Sequence, residues 1–201
     1  MIVPVAHPLS AGDSEIVART RRLVLRQWRD EDLAPFAALN ADPQVCRFLP
    51  GVLDRAESDA MAQRIRQAIE RDGFGLWAVG RDTRETRERR ADAGFIGFVG
   101  LSPVTFEAPF APAVEIGWRL ASSAWNQGFA TEAALAARDL AFGAFGLDEI
   151  VSFTVPANRP SRRVMEKIGL QRDEAGDFDH PRLPPGHPLR PHVLYRLSRH
   201  D

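Results

Sequence analysis

The segment that most constrains the fold is the stretch 113–142, in which an apolar strand, a polar loop and a helix follow one another directly. Apolar residues dominate 113–120, as expected for a buried strand. The helix predicted over 131–145 is rich in alanine. Because small side chains let a helix lie close against a sheet, we expect a layered α/β structure.

The loop in this segment has the features of an anion-binding turn. Gly128 lets a ligand approach the backbone without a side chain in the way. The helix that follows exposes unpaired backbone N–H groups and the positive end of its dipole, which suits a diphosphate. The sequence has neither the G-K-[ST] of a Walker A loop nor the G-x-G-x-x-G of a dinucleotide fold here. On spacing alone, an ordinary turn containing glycine explains the loop equally well.

The remaining pattern predicts one domain at 21–201, preceded by a loosely held extension at 1–20. Asp32 is expected to cap a helix, because Pro35 is tolerated only in a first turn. The charged run 81–90 is interpreted as the solvated tip of a hairpin rather than as a site for an acidic partner. Further strands are predicted at 22–28, 75–80, 93–101, 149–155 and 192–197, and further helices at 56–72 and 160–169.

Composition narrows the class of protein. The 201 residues are 44% hydrophobic and carry a net charge of −1, so no bulk attraction to nucleic acid or to an anionic membrane is expected. The single cysteine, Cys46, excludes an internal disulfide and is expected to be a buried thiol in a reducing compartment. No secretory signal and no stretch of about 18 apolar residues is present, which predicts a cytoplasmic protein.

Several motifs, in the right order, resemble those of the GNAT superfamily of N-acetyltransferases and of its RimJ/RimL-like branch. Trp125 stands where the general acetyl-CoA motif, Q/R-x-x-G-x-G/A, has Gln or Arg, and Trp is usual there in this branch. The matching motifs are T-x-R-L-x-L-R at 20–26, E-I-G-x-x-L at 115–120, W-x-x-G-F-A-T-E-A at 125–133, N-x-x-S at 158–161 and E-K-I-G-L at 166–170.

The resemblance implies the GNAT fold, an α/β (α+β) architecture. This is a mixed, mostly antiparallel sheet of about seven strands flanked by about four helices, with a splayed central strand pair. It also implies acetyl-CoA as co-substrate, with its pyrophosphate on the loop amides and its pantetheine beside the preceding strand, and no metal. The cofactor-binding residues that correspond are Trp118, Arg119, Leu120, Gln127, Gly128, Phe129, Ala130, Thr131 and Asn158.

Two residues are candidates for proton transfer. Glu115 interrupts an otherwise apolar strand, and partial burial there would raise its pKa toward that of a useful base. A structural hydrogen-bond network is the alternative role for Glu115. Ser161 matches the serine that the branch is thought to use as the acid, although a serine at a helix start also satisfies backbone amides. The only tyrosine, Tyr195, lies in the closing strand and does not fit the tyrosine acid common in the family.

The acceptor is an amine whose identity stays open, with a protein N-terminus favoured over a small molecule on the resemblance alone. A non-catalytic acyl-CoA sensor, an enzyme using another acyl-CoA such as succinyl-CoA, and a homodimer are each compatible with the motifs. Four late histidines and two aspartates match no zinc spacing, so no metal site is expected. These six residues are Asp177, Asp179, His180, His187, His192 and His200.

Overall fold

The computed structural model describes residues 3–4, 16–82 and 94–200. Its nine strands form one sheet in the order β1-β2-β3-β4-β5-β6-β7-β9-β8. The strands are β1 (Val3–Pro4), β2 (Ile16–Arg19), β3 (Leu23–Arg26), β4 (Leu76–Arg81), β5 (Phe95–Pro103), β6 (Val114–Leu120), β7 (Glu149–Thr154), β8 (Gln171–Asp179) and β9 (Pro191–Ser198). The helices are α1 (Leu33–Ala41), α2 (Arg55–Asp72), α3 (Phe129–Phe142) and α4 (Arg159–Lys167).

This architecture confirms the expected mixed, mostly antiparallel sheet with four helices. Among the described strands, β6 and β7 are the only neighbours that run parallel. Eight strands have four or more residues, close to the seven or so expected. The two that no sequence pattern predicted are β2, which lies inside the predicted extension 1–20, and β8. Sequence periodicity missed β8 because this edge strand is mostly exposed, and its residues QRDEAGDFD do not alternate between apolar and polar.

The helices cover both faces of the sheet. On one face, Phe36 of α1 packs edge-on against Phe98 of β5, with ring centroids 6.0 Å apart. On the other face, Trp77 of β4 stacks on Phe145, which follows α3, at 6.0 Å. Trp77 is one residue removed from Ala78, the β4 partner of Phe98, and successive strand residues point to opposite faces. The sheet is therefore the middle of three layers.

The helix α3 begins and ends earlier than the predicted 131–145. Gly128 has a left-handed backbone with φ of 78° and turns the chain directly into the helix at Phe129. The first turn therefore contains residues that the sequence pattern had assigned to the loop. The charged run 81–90 lies outside the described residues from position 83 onward.

The strands β6 and β7 pair over a very short length. Their parallel register has a single matched position, Glu115 beside Val151, although each strand continues for several residues. On its other side, β6 stays paired with its antiparallel partner β5 along its whole length. A gap therefore opens between β6 and β7 in the middle of the sheet, as the resemblance predicts. Among the described residues, no helix combines the length and hydropathy that a bilayer span requires.

A buried ion pair joins β3 to the turn before α1. The Arg26 guanidinium donates to both carboxylate oxygens of Asp32, at 2.7 and 2.6 Å, and both residues are almost fully buried. Asp32 also accepts a hydrogen bond from the Arg29 backbone N–H at 2.8 Å. Asp32 is the N-cap residue of α1, as predicted, but its carboxylate makes no capping hydrogen bond to that helix.

Replacing Asp32 by Asn should lower the free energy of unfolding by about 3 kcal/mol, because it leaves the buried Arg26 cation without a counter-charge. Urea unfolding measures this loss. The matched control is Asp59→Asn, which breaks the exposed pair between Arg55 and Asp59 and should cost less than about 1 kcal/mol. Equal losses in the two variants would contradict this account.

Candidate active site

A cavity of about 260 Å³ occupies the gap between β6 and β7. Side chains from both helical layers line it, so the cavity crosses the sheet where the two strands separate. The lining residues are Phe48, Leu49, Met61, Leu76, Phe98, Ser102, Glu115, Gly117, Trp118, Arg119, Ser152, Phe153, Thr154, Asn158, Ser161 and Met165.

Glu115 lies at the closed end of the gap, at the last matched position of the two strands. Its side chain is partly exposed, and it lines the cavity. No described residue forms a hydrogen bond with its carboxylate, so the structural network considered as its alternative role is absent from the described part of the chain. The side chain is therefore free to contact a ligand.

The surroundings of Glu115 favour its neutral form. Removal of the carboxylate from bulk water, although the cavity still reaches it, raises its pKa to about 8. The positive charge of Arg182 acts in the opposite sense and only partly offsets this effect. A carboxyl group with such a pKa can accept a proton near neutral pH, which is the property of a general base.

The backbone of β6 is free on the side of the gap. The Ile116 carbonyl accepts a hydrogen bond from the Ser152 hydroxyl of β7, at 2.9 Å. The backbone N–H and C=O groups of Ile116 therefore point toward β7. The Ala121 N–H donates to the Ile96 carbonyl of β5, at 2.8 Å, and so points the other way. Backbone groups of successive residues point to opposite sides of a strand.

It follows that Trp118 and Leu120 direct their backbone groups into the gap, whereas those of Arg119 face β5. The Leu120 carbonyl already accepts a hydrogen bond from the Trp125 indole, at 2.8 Å. The backbone groups of Trp118 are thus the ones best placed to pair with an extended ligand in the gap. Arg119 reaches the cavity by its side chain instead.

The loop before α3 leads into a helix start whose first backbone N–H groups have no partner within the helix. Asn126 and Gly128 both have left-handed backbones, with φ of 59° and 78°. The Glu132 N–H donates to the Gly128 carbonyl at 3.0 Å, so the N–H groups of 129–131 precede the first intrahelical bond. The Gln127 side chain folds back and donates to the Ser123 carbonyl at 2.9 Å. This combination suits a phosphate group.

An ion pair beside this loop was missed by the sequence reasoning. The Arg22 guanidinium contacts Glu132 at 2.7 Å and lies over the Phe129 ring, 4.6 Å from its centroid. Thr20 donates to the same carboxylate at 2.6 Å. Burial opposes ionisation of Glu132, but the hydrogen bonds from Thr20 and Arg22 outweigh it and lower its pKa. The motifs at 20–26 and 125–133 thus meet in space and fix the start of α3.

Asn158 and Ser161 both line the cavity, at the start of α4. Asn158 is the N-cap residue, and its side-chain oxygen accepts a hydrogen bond from the Ser161 N–H at 3.4 Å. Its amide group donates to the Thr154 hydroxyl at 2.9 Å. The capping role therefore falls to Asn158, and the Ser161 hydroxyl has no hydrogen-bond partner among the described residues.

The structure thus brings five predicted site residues to one cavity. These are Glu115, Trp118, Arg119, Asn158 and Ser161. The other predicted site residues do not line it. Leu120 ends β6, Gln127 and Gly128 lie in the loop after it, and Phe129, Ala130 and Thr131 form the first turn of α3. Tyr195 does not line the cavity either. Its hydroxyl is buried and donates to Glu166 at 3.1 Å.

Cys46, His180 and His192 do not line this cavity. Cys46 is buried, as predicted, and donates to the Asn40 carbonyl at 3.2 Å. His180 and His192 pack together with ring centroids 5.1 Å apart, and burial lowers the pKa of both imidazoles. Within residues 16–82 and 94–200, no three His, Cys, Asp or Glu side chains converge as a metal ion would need.

The cavity, the free strand edge and the amide-rich helix start together have the geometry that an extended phosphate-bearing ligand requires. Residues 22–171 match the model of the acetyltransferase (GNAT) domain family. The chain is also 28% identical over 156 residues to the uncharacterized N-acetyltransferase YnaD of Bacillus subtilis, covering 77% of this chain and 82% of that one. The chain belongs to the GNAT acetyltransferase family, whose members use acyl-CoA.

Solved structures share the fold. A GNAT-family acetyltransferase from Bacillus anthracis superimposes with a TM-score of 0.73 at 24% identity, covering 93% of this chain and 99% of that one. RimJ from Mycobacterium smegmatis, in complex with CoA-disulfide, superimposes with a TM-score of 0.67 at 22% identity, covering 88% and 81%. The expected fold is therefore confirmed.

Replacing Glu115 by Gln should stabilise the protein increasingly as the pH rises. The pKa of Glu115 is about 8 in the folded chain, above the ordinary value of 4.5. The folded state therefore holds a proton that the unfolded state has lost, and the wild type loses stability between these two pH values. Urea unfolding of both proteins from about pH 5 to about pH 8.5 measures the effect. A difference that is constant with pH would show that the pKa of Glu115 is not raised.

Proposed function

We propose that this protein transfers the acetyl group of acetyl-CoA to a primary amine by direct attack within a ternary complex. The observation that carries the proposal is Glu115, a desolvated carboxyl group facing the cavity at the point where β6 and β7 part. A base at that point is what an amine needs to become nucleophilic at neutral pH. The cavity meets the free edge of β6 at the same point.

The described residues fit acetyl-CoA without a metal. The N–H groups at the start of α3 suit its pyrophosphate, and the backbone of Trp118 suits its pantetheine. Asn158 offers an amide at the cavity wall. The co-substrate supplies an activated acyl carbon and a thiolate leaving group. The RimJ complex with CoA-disulfide shows that a protein of this fold holds a CoA species.

Glu115 acts as the general base. It takes a proton from the acceptor ammonium, directly or through water, and the amine nitrogen then attacks the acyl carbon. A bond forms between nitrogen and carbon, and the bond from carbon to sulfur breaks. The attacking nitrogen loses a second proton as the amide forms, and this proton, passed through water, replaces the one that the departing thiolate takes up. A pKa of about 8 for Glu115 is close to that of a chain-terminal amine, roughly 7.7–8.0, and well below that of a lysine, roughly 10.4. A protein or peptide N-terminus is the favoured acceptor, because an N-terminal amine loses its proton at a lower pH than a lysine and because the chain resembles the RimJ/RimL-like branch.

Ser161 acts as the general acid. Because Asn158 caps α4, the Ser161 hydroxyl is available to donate its proton to the departing thiolate. The two groups lie in one cavity, which supports an enzyme over a non-catalytic acyl-CoA sensor. Backbone N–H groups at the cavity edge would stabilise the oxyanion.

Release of free thiol from acetyl-CoA in the presence of a panel of amines tests the proposal. The panel includes peptides with N-terminal Ala or Ser, free amino acids and polyamines, and succinyl-CoA is run in parallel. Thiol release that depends on an amine, with the acetylated product seen by mass spectrometry, is expected. Tight acetyl-CoA binding without thiol release in the presence of any amine would favour the non-catalytic sensor. Preferential use of succinyl-CoA would show that the transferred acyl group is succinyl rather than acetyl.

Replacing Glu115 by Gln should lower kcat/KM on the order of 10²-fold at neutral pH, the typical contribution of a general base. With an alkyl amine of pKa about 10 as acceptor, the wild type should show an inflection near pH 8 that reports Glu115. The variant should lack this inflection and recover in part at higher pH, as more of the amine is neutral. A pH–rate profile unchanged from the wild type would remove Glu115 from this role.

Replacing Gly128 by Glu should abolish acetyl-CoA binding measured by calorimetry, because it places a negative side chain at the amide-rich turn. The matched control is Gly146→Glu. Gly146 also has a left-handed backbone, with φ of 62°, and has open space around it. Both variants place a side chain on a left-handed backbone and carry the resulting strain, but only Gly128→Glu alters the loop before α3. Undiminished affinity in Gly128→Glu would contradict the assignment of this loop to the pyrophosphate.

A further inference from the structure

We propose that the Arg119 side chain binds an anionic group of the acceptor, so that the acceptor is an amine that also carries a carboxylate or a similar anion. This inference rests on the proposed function, since it concerns the second substrate of the same cavity. It differs from the role of Arg119 implied by the resemblance, which is pairing of the strand backbone with the co-substrate.

Arg119 and Glu115 share one face of β6. Residues two apart on a strand point to the same side, so Glu115, Gly117 and Arg119 form a row along the cavity, and all three line it. Four residues of strand separate the two charged side chains by about 13 Å between Cα atoms. Gly117 has no side chain between them, and a Cβ placed there would meet only the Glu115 carboxylate, at 3.7 Å. The space over Gly117 is therefore open, with the Glu115 carboxyl group at one end of the row and the Arg119 guanidinium at the other.

The positive charge of Arg119 is not balanced by a carboxylate. Its Nη1 donates to the side-chain oxygen of Asn40, at 2.6 Å, and no described acidic residue forms an ion pair with it. The nearby Asp42 carboxylate is engaged instead with the Ser122 hydroxyl at 2.7 Å and the Gln44 N–H at 2.8 Å. Arg119 is partly buried and lines the cavity, and its partial burial lowers the pKa of its guanidinium. A partly desolvated cation without a counter-ion is costly, and an anionic ligand in the cavity would offset that cost.

The guanidinium is also held in place before any ligand arrives. It lies over the Phe98 ring, 5.5 Å from the centroid. Asn40 is fully buried, and its amide donates to the buried Ser58 hydroxyl at 2.9 Å, which turns its oxygen toward Arg119. An arginine has five N–H donors, and Asn40 is the only hydrogen-bond partner of Arg119 among the described residues. A preorganised fork of this kind suits a carboxylate.

Arg182 is the other cation near the cavity, and it differs in each of these respects. It is exposed, it donates to the Thr105 hydroxyl at 2.6 Å, and its charge acts on Glu115. An anion bound there would compete with the carboxylate that has to take up the proton. Arg119, at the far end of the row, can hold an anion without this conflict.

Matched acceptors that differ only in charge test the inference. One pair is the dipeptide amides Ala-Glu-NH2 and Ala-Gln-NH2, and a second series consists of ω-amino carboxylic acids of increasing length with their carboxamides. The wild type should use the carboxylate member with a kcat/KM at least about tenfold higher, chiefly through KM, as for a charge-assisted hydrogen bond. In Arg119→Gln this preference should vanish, and Arg119→Lys should restore part of it.

Three further readouts separate binding of the anion from a general structural effect. Acetyl-CoA affinity and urea stability should be nearly unchanged in Arg119→Lys, and the inflection that reports Glu115 should persist in both variants. The control Arg55→Gln, at the exposed Arg55 of α2, should keep the full preference. Equal use of both members of every pair by the wild type, or a preference that survives in Arg119→Gln, would overturn the inference. Failure of the proposed function gives a distinguishable result, because acetyl-CoA would then release no thiol with either member of any acceptor pair.

Discussion

The structure depends on one interruption in hydrogen bonding, the separation of β6 from β7 beyond Glu115 and Val151. A sheet normally pairs every backbone group, and an unpaired strand edge in its middle is costly unless something else fills it. Here the gap leaves the backbone of Trp118 without a strand partner and lets the cavity pass from one helical layer to the other. Every other feature of the candidate site is arranged around this gap.

The groups proposed for phosphate binding, proton donation and proton abstraction are set by where β6 and α4 begin and end. The end of β6 leads into the loop whose amides suit a diphosphate, and the start of α4 delivers Ser161 with Asn158 as its cap. The closed end of the gap holds Glu115 in surroundings that raise its pKa. One splayed strand pair thus places the proposed base and the proposed proton donor in a single cavity, and the strand β6 leads from that cavity to the loop proposed to bind phosphate.

Local patterns predicted the parts of the site that local sequence determines. The strand and the glycine turn came from residue type and spacing, and Glu115 stood out as a charge in an apolar strand. The start of α3 was predicted two residues too late, because the left-handed Gly128 turns the chain into the helix at Phe129. Contacts between distant segments were not predictable in this way. Arg22 and Glu132 are 110 residues apart, and Arg119 and Asn40 are 79 apart, so no periodicity links them. The edge strand β8 was not predicted, because a strand whose side chains are mostly exposed lacks the alternation of apolar and polar residues that identifies a strand.

Hydrogen exchange with and without acetyl-CoA reports on the free edge of β6 and the start of α3 residue by residue. We expect slower exchange of the Trp118 amide and of the amides at 128–131 when acetyl-CoA is added, with no change in β2 and β3. Unchanged exchange at these positions, or protection confined to another part of the sheet, would contradict the claim that the gap between β6 and β7 is where the co-substrate binds.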